Sequence, residues 1–337
     1  MRADEAPAPS PDIVWREGRP DGEGRGKIVV TGIASRLGRL IARRLHLLGD
    51  YRIVGIDSRP ADRLPKDIEH LQVDIRSKRA RNAFRHDVVA VVHAGMLQLA
   101  QQPRWRSWNV LRTSRLLEYC EAYGVSKVVA LSSAEVYGAH PGNDQFLSEE
   151  APLLAASDYP ALHELVTADM QATSYFWRSR GIDAETVVLR PVHILGGLHN
   201  RASNYLRLAR IPVPMGYDPM VQVIHERDVV EAVVAALRPG AHGVFNITGP
   251  GEVPLHVILD ELGKPVVRVP YTALRLGLRA LRRFKLTPFD PRELSHLRFV
   301  GMVDGGRARQ ALGFRPRYSL RETIHAVLKP SEIEETL

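Results

Sequence analysis

Short apolar runs alternate with amphipathic stretches along most of the chain. Ile28-Val29-Val30 is a compact apolar run, a glycine turn follows it, and apolar residues then recur at helical spacing from Arg36 to Leu48. Similar runs at Arg52–Ile56, His70–Val73, Val88–Val92, Lys127–Leu131 and Glu185–Leu189 predict five more strands. Helices are predicted between them, notably over Trp105–Tyr123 and Pro160–Arg180. Strand and helix alternating in this way predict an α/β fold with a parallel, doubly wound sheet, because parallel strands need helical crossovers and are covered on both faces.

The rhythm degrades after Arg190. Residues 191–220 are rich in Gly, Pro and His, and then Gln222–Ile224, Val229–Leu237 and Val244–Ile247 predict a strand, a helix and a short strand. We expect residues 27–190 to form the sheet domain, with 221–249 returning to it. Residues 191–220 and 250–330 would make a smaller, discontinuous C-terminal substrate lobe, and 331–337 a tail. Residues 1–26 hold Pro7, Pro9, Pro11 and Pro20 and the run Asp-Gly-Glu-Gly-Arg-Gly, without strand or helix period. They are expected to be a disordered leader.

Composition narrows the function. At 45% hydrophobic and 25% charged, the 337 residues have the balance of an ordinary globular chain. The single cysteine, Cys120, excludes a disulfide framework and a multi-cysteine zinc site and fits a reducing cytoplasm. It falls on the apolar face of the Trp105–Tyr123 helix, as a buried inert thiol would. Apolar runs such as Val88–Val92 fall far short of the roughly 18–20 residues that span a bilayer. The formal charge of +8 suits an anionic small molecule, but it is too diffuse to indicate nucleic acid.

The first strand runs into Thr31-Gly32-Ile33-Ala34-Ser35-Arg36-Leu37-Gly38. Glycines at such a turn let the backbone approach a pyrophosphate, and the helix that follows offers unpaired N–H groups and the positive end of its dipole. Asp57 closes the second strand, where a carboxylate can accept hydrogen bonds from both ribose hydroxyls.

These residues resemble those of the extended short-chain dehydrogenases/reductases, the group of NAD-dependent epimerases and dehydratases. Its turn, T-G-x-x-G-x-x-G, is matched except that Ser35 stands at the middle glycine. Val73-Asp74-Ile75-Arg76 resembles the segment that contacts adenine, and Val92-His93-Ala94-Gly95 the strand that passes beside the cofactor. Trp108-Asn109-Val110 with Leu116-Leu117-Glu118-Tyr119-Cys120, then Leu131-Ser132-Ser133-Ala134-Glu135-Val136-Tyr137-Gly138, continue the likeness. So do Leu189-Arg190-Pro191, Val223-Ile224-His225 with Asp228-Val229, and Leu312-Gly313-Phe314-Arg315-Pro316. The resemblance covers residues 27 to about 328 and implies a Rossmann-type sheet domain. It also implies pairing into a homodimer through two long helices, and a cofactor held by Thr31, Gly32, Ser35, Arg36, Leu37, Gly38, Asp57, Asp74, Ile75, His93, Ala94, Gly95, Tyr159, His163 and Pro191. Asp57 points to NAD because it would repel a 2′-phosphate. Arg36 and Arg59 keep NADP as the alternative.

The group's chemistry uses a Ser or Thr with a Tyr-x-x-x-Lys pair, in which a tyrosinate is the base, the hydroxyl holds the substrate oxygen, and lysine binds the nicotinamide ribose. By position, Ser133, Tyr159, His163 and Asn109 form the reaction centre, with Tyr159 and His163 at i and i+4. The departure is His163, where the pattern has lysine. Half-ionising a tyrosine of ordinary pKa ~10 at pH 7 takes roughly 4 kcal/mol of preferential stabilisation, which a neighbouring ammonium supplies. An unperturbed imidazole is only about one quarter protonated there, and no lysine occurs between Lys127 and Lys264 to take over.

The resemblance therefore implies an NAD(P)-dependent oxidoreductase, epimerase or dehydratase acting at a secondary alcohol of a sugar-like substrate, with a nucleotide sugar expected. Two alternatives stay open: a catalytically degenerate NAD(P)-binding regulatory or scaffold protein, and a sterol-type hydroxyl dehydrogenase. His93, His163, His193, His199 and His225 lack the spacing of a metal site. His93 and His225 read as structural, and His193 and His199 as bordering the substrate cleft. Trp105 and Trp108 read as core and interface. Leu274–Lys285 is an amphipathic basic helix, read either as a cap on the lobe with its arginines in solvent or as a contact for a membrane surface or a substrate diphosphate.

Overall fold

The computed structural model describes residues 26–97, 108–158, 162–179, 184–284, 286–287 and 289–328. The expected leader up to residue 25, Trp105, Tyr159 and the tail lie outside these residues.

Seven parallel strands form the central sheet: β1 (Lys27–Thr31), β2 (Arg52–Asp57), β3 (Glu69–Gln72), β4 (Val88–His93), β5 (Lys127–Leu131), β6 (Glu185–Pro191) and β10 (Gly243–Ile247). Their order is β10-β6-β5-β4-β1-β2-β3, so chain direction across the sheet reverses between β1 and β4. That reversal opens a crevice at the carboxyl ends of the two strands, the usual ligand position in an open α/β sheet. Successive side chains of β1 enter opposite layers. Ile28 and Val30 pack with α1 (Arg36–Leu48) and α6 (Glu226–Ala236), while Val29 packs with α2 (Trp108–Ala122) and Tyr175 of α4 (His163–Ser179). Burial on both faces is why Ile28–Val30 of β1 and Val128–Leu131 of β5 are continuously apolar rather than alternating. The doubly wound, Rossmann-type sheet is as the sequence predicts.

Four short strands escape the sequence pattern. β7 (His193–Leu195), β9 (Met220–His225) and β11 (Glu252–Pro254) make a small sheet, and β8 (Ile211–Pro214) pairs with β12 (Val266–Val269). Of these only β9 was legible. The other four span three or four residues, too few for a period, and Pro212, Pro214 and Pro254 argue locally against strand.

A buried polar network ties the turn after β5 to the sheet. The Arg190 guanidinium donates to both Asp169 oxygens (3.0 and 2.6 Å) and to Tyr137 Oη (2.8 Å), and Tyr137 donates to Asn246 Oδ1 at 2.8 Å. β6, α4 and β10 thereby fix the segment that follows Ser133. Lys127, fully buried, is satisfied by Glu185 at 2.8 Å and by the Arg238 carbonyl at 3.0 Å. No helix of the described residues is long and apolar enough to cross a membrane.

Candidate active site

The turn after β1 is closed by contacts that leave no room for side chains. Gly32 has φ +76°, and a Cβ there would stand 2.8 Å from the Gly95 nitrogen. A Cβ on Gly38 would stand 2.2 Å from the Gly32 carbonyl oxygen. Ser35, at the family's middle glycine, needs no special backbone freedom at φ −75°. Its hydroxyl donates to the Gly32 carbonyl (2.7 Å) and accepts from the Gly38 N–H (3.0 Å), capping α1. The substitution therefore knits the turn together rather than opening it. Leu37 is buried behind the turn, and Arg36 reaches away from it to a two-point contact with Glu226 at the start of α6.

A cleft of about 350 Å³ lies at the reversal point, lined by Thr31, Gly32, Ile56, Asp57, Ser58, Val73, Asp74, Ile75, His93, Gly95 and Arg112. Seven of the positions expected to hold a cofactor are thus brought together. Asp57 is 7% exposed; it accepts from the Ala34 N–H (3.2 Å), the Arg59 N–H (3.0 Å) and the Arg59 side chain (3.1 and 3.2 Å). Burial pushes its carboxyl up, but the Arg59 bonds and charge and the Ala34 N–H outweigh it and leave the group below its ordinary value. Arg59 thus occupies Asp57 itself, on a side chain that is 53% exposed.

Asp74 is gripped by Arg76 (2.9 and 3.0 Å) and Arg112 (2.9 Å), which overcome burial and hold its carboxyl well below the usual carboxylate range. Both guanidiniums lie over Trp108, at 4.1 and 5.4 Å from the ring centre, so Trp108 braces the cleft wall. His93 bridges Thr31 Oγ1 (2.6 Å) and Thr113 Oγ1 (3.0 Å), joining β1, β4 and α2. Burial, with the charge of Arg112, pushes its pKa down to about 3, so the ring is neutral and acts as a cross-strand tie. His225 likewise caps α6 by accepting from the Arg227 N–H and stacks on Tyr318 at 3.8 Å. Ala94 is buried beside Gly95, and Pro191, also buried, ends β6.

Of the expected reaction-centre residues, Ser133 is half-buried and caps the 3₁₀ turn Ala134–Tyr137 by accepting from the Glu135 N–H at 3.2 Å. Asn109 is buried near the start of α2. His163 is the first residue of α4 and is exposed. Tyr159 lies outside the described residues, so its pairing with His163 is not among the contacts.

A second cavity of about 490 Å³ adjoins the Ser133 turn, lined by Ala134, Glu135, Gly138, Val192, His193, Met220, Val221, Gln222, His296, Phe299 and Gly301. Glu135 faces His193 (3.6 Å) and Arg201 (3.9 Å), and Arg201 in turn lies 3.7 Å from Glu293 on the 3₁₀ turn Pro291–Leu297. Burial would raise the Glu135 carboxyl, but His193, Arg201 and His296 overcome it and hold it at about 2; Arg201 is the permanently charged member. Burial pushes Glu293 up to about 7, with Glu135 adding to the shift and Arg201 opposing it. Burial pushes His296 down to about 4. At neutral pH Glu135 is therefore an ionised acceptor while Glu293 is about half protonated. Among the described residues no cluster of His, Cys, Asp or Glu is suited to a metal ion. Cys120 is buried, and burial raises its thiol far above the ordinary value.

The model of the NAD dependent epimerase/dehydratase family matches residues 28–248, well over half of the chain. The chain belongs to that family. An uncharacterized protein of Mycobacterium tuberculosis is 26% identical over 314 residues, covering 88% of this chain and 82% of its own length. A 3-diazoavenalumate denitrifying reductase of Streptomyces is 28% identical over 220 residues, 61% of this chain and 66% of that protein. Among solved structures, MoeE5 in complex with UDP-glucose and NAD superposes with a TM-score of 0.67 at 22% identity, covering 90% of this chain and 97% of that one. The Thermus thermophilus UDP-glucose 4-epimerase complex with NAD gives 0.69 at 20% identity, covering 90% and 98%. At these identities the structures share the fold.

Within this epimerase/dehydratase frame, sequence reasoning missed the partners of its own candidates. Arg112 lines the cleft, His296 lines the second cavity, and Arg201 and Glu293 stand behind its Glu135, yet none sits in a matched motif. Glu135 was in plain view inside Ser-Ser-Ala-Glu-Val-Tyr-Gly, and a carboxylate two residues from the expected catalytic serine was the available signal.

Proposed function

We propose that the chain is an NAD-dependent oxidoreductase, epimerase or dehydratase that acts at a secondary alcohol of a sugar-like substrate. The observation that carries this is the cleft at the strand-order reversal, where Thr31, Gly32, Asp57, Asp74, Ile75, His93 and Gly95 converge. The fit is steric as well as chemical, since the backbone at Gly32 and Gly38 is too close-packed for any side chain and follows directly into the amino end of α1. NAD bound there would accept the hydride of the alcohol carbon. Asp57, once Arg59 swings aside, would accept the adenosine ribose hydroxyls and repel a 2′-phosphate, which favours NAD over NADP. Ser133 would donate to the substrate oxygen, Tyr159 would take the hydroxyl proton, and Asn109 and His163 would complete the centre. Glu135, His193, Gln222 and His296 line the adjoining cavity with mixed donors and acceptors, as suits a hydroxyl-rich substrate. MoeE5 and the Thermus epimerase are described with UDP-glucose and NAD or with NAD, which supports the same substrate and cofactor class. Exposed Leu111, Met170 and Trp177 on α2 and α4 support pairing of two copies through these helices.

A second reading, dinucleotide binding without turnover, is favoured by one observation: the position of the expected lysine holds an exposed histidine. Single-turnover reduction of bound NAD with a panel of nucleotide sugars and sterols separates the two, using wild type, His163→Lys and Tyr159→Phe. Activity abolished by Tyr159→Phe and raised by His163→Lys is the expected result, because lysine keeps its charge to about pH 10. Cofactor binding with no reduction by any variant across the panel would establish the binding-protein reading instead.

A further inference from the structure

Helix α8 (Tyr271–Arg283) is held at both ends and, apart from buried Leu274 and half-buried Leu278, is exposed between them. At its start the Arg298 guanidinium sits 4.2 Å from the Tyr271 ring and 4.7 Å from the Tyr217 ring. At its end Arg282 bonds Asp290, which also holds Arg292 at 3.1 Å. Only Leu274 is fully buried. Leu281 is 43% exposed, and Phe284 and Leu286, just beyond the helix, are each 71% exposed.

At 100° per residue, Leu274, Leu278, Leu281 and Phe284 fall on one arc, and Arg275, Arg279, Arg282 and Arg283 on another. Arg275, Arg279 and Arg283 are exposed and make no ion pair with another described residue. Residues 271–286 contain no Asp or Glu, while Arg275, Arg279, Arg282, Arg283 and Lys285 are all basic.

We infer that α8 docks the C-terminal lobe on the surface of an anionic lipid bilayer. An apolar arc flanked by arginines matches a helix lying in the interface plane, with leucine and phenylalanine among the acyl chains and guanidiniums at the phosphates. A nucleic acid or acidic peptide would satisfy the arginines but leave Leu281, Phe284 and Leu286 in water. A second copy using the same face across a two-fold axis would bring arginine against arginine. Leu274 and the half-buried Leu278 seat one end of the arc on the lobe, while Leu281, Phe284 and Leu286 remain in solvent.

The test is co-sedimentation of the full chain with phosphatidylcholine vesicles and with mixed phosphatidylcholine–phosphatidylglycerol vesicles. The expected result is binding to the mixed vesicles that is at least tenfold tighter than to phosphatidylcholine and is lost at high salt. Arg275→Gln, Arg279→Gln and Arg283→Gln together should weaken it about a hundredfold, at about fivefold per arginine. Leu281→Ser with Phe284→Ser should weaken it at least tenfold. Both variants should keep the wild-type circular dichroism and NAD affinity, which separates lost docking from lost folding. Absence of binding to either vesicle, equal binding to both, or binding untouched by the two variants overturns the proposal. So does binding that appears only after residues 329–337 are deleted, since the acidic tail would then be the occupant. A fall in solution mass on Phe284→Ser without lipid would assign the face to a second copy and overturn it equally.

Discussion

Replacing Glu293 with glutamine isolates one buried carboxyl whose environment the tertiary structure sets. Its side chain is 16% exposed, with Arg201 at 3.7 Å. Burial lifts it from the ordinary 4.5 to about 7. Below pH 4.5 the acid is protonated in both folded and unfolded chains. Between 4.5 and about 7 the unfolded chain releases a proton that the folded chain retains, so folding is worth progressively less as pH rises, and above that range the contribution is gone. Linkage puts the loss between pH 5 and pH 8 at about 2.5 kcal/mol for this group. His296, pushed from 6.5 to about 4, works in the opposite sense over an overlapping range, since its unfolded form binds the extra proton. The wild-type profile alone therefore mixes the two, and the difference between variant and wild type is the quantity to read. Glutamine mimics the protonated acid and cannot ionise. Denaturant unfolding at pH 5 should give Glu293→Gln a stability within about 1 kcal/mol of wild type. By pH 8 the variant should have gained about 2.5 kcal/mol on wild type. A difference that stays constant with pH, or that moves against the variant toward alkaline pH, refutes the buried-carboxyl argument.

Asp57→Asn should weaken NAD about tenfold or more in a calorimetric titration, through loss of charge-assisted bonds to the ribose; unchanged affinity, or tighter NADP than NAD in wild type, contradicts the assignment. Gly38→Ala forces a methyl group to 2.2 Å from the Gly32 carbonyl oxygen, and the strain should lower the melting temperature by about 2–4 °C. A wild-type melt and NAD affinity would show that the turn relaxes freely. Arg190→Met leaves Asp169 buried and unpaired, with an expected cost of about 3–5 kcal/mol in denaturant unfolding. Adding Asp169→Leu should recover most of that, and failure to do so would place the cost in lost packing.

What the sequence by itself determined is what short-range pattern can carry. Ile28–Val30, Val88–Val92 and Val128–Leu131 are continuous apolar runs because the sheet is covered on both faces, and the helices between them permit only parallel crossovers. Gly32 and Gly38 were legible because a turn that tight tolerates nothing larger. The residues of β7, β8, β11 and β12 carry no such pattern, being too few to show a period and in three places interrupted by proline. Only the tertiary structure decided which charges meet. It set Arg59 on Asp57, closed Arg76 and Arg112 on Asp74 across Trp108, and carried Arg201, Glu293 and His296 to Glu135 from distant segments. It also left Leu281 and Phe284 of the α8 apolar arc exposed while burying Leu274, where the sequence allowed either outcome for the whole arc. A residue's type and spacing travel with the chain, but its proton affinity and its exposure depend on what folding places within a few ångströms of it.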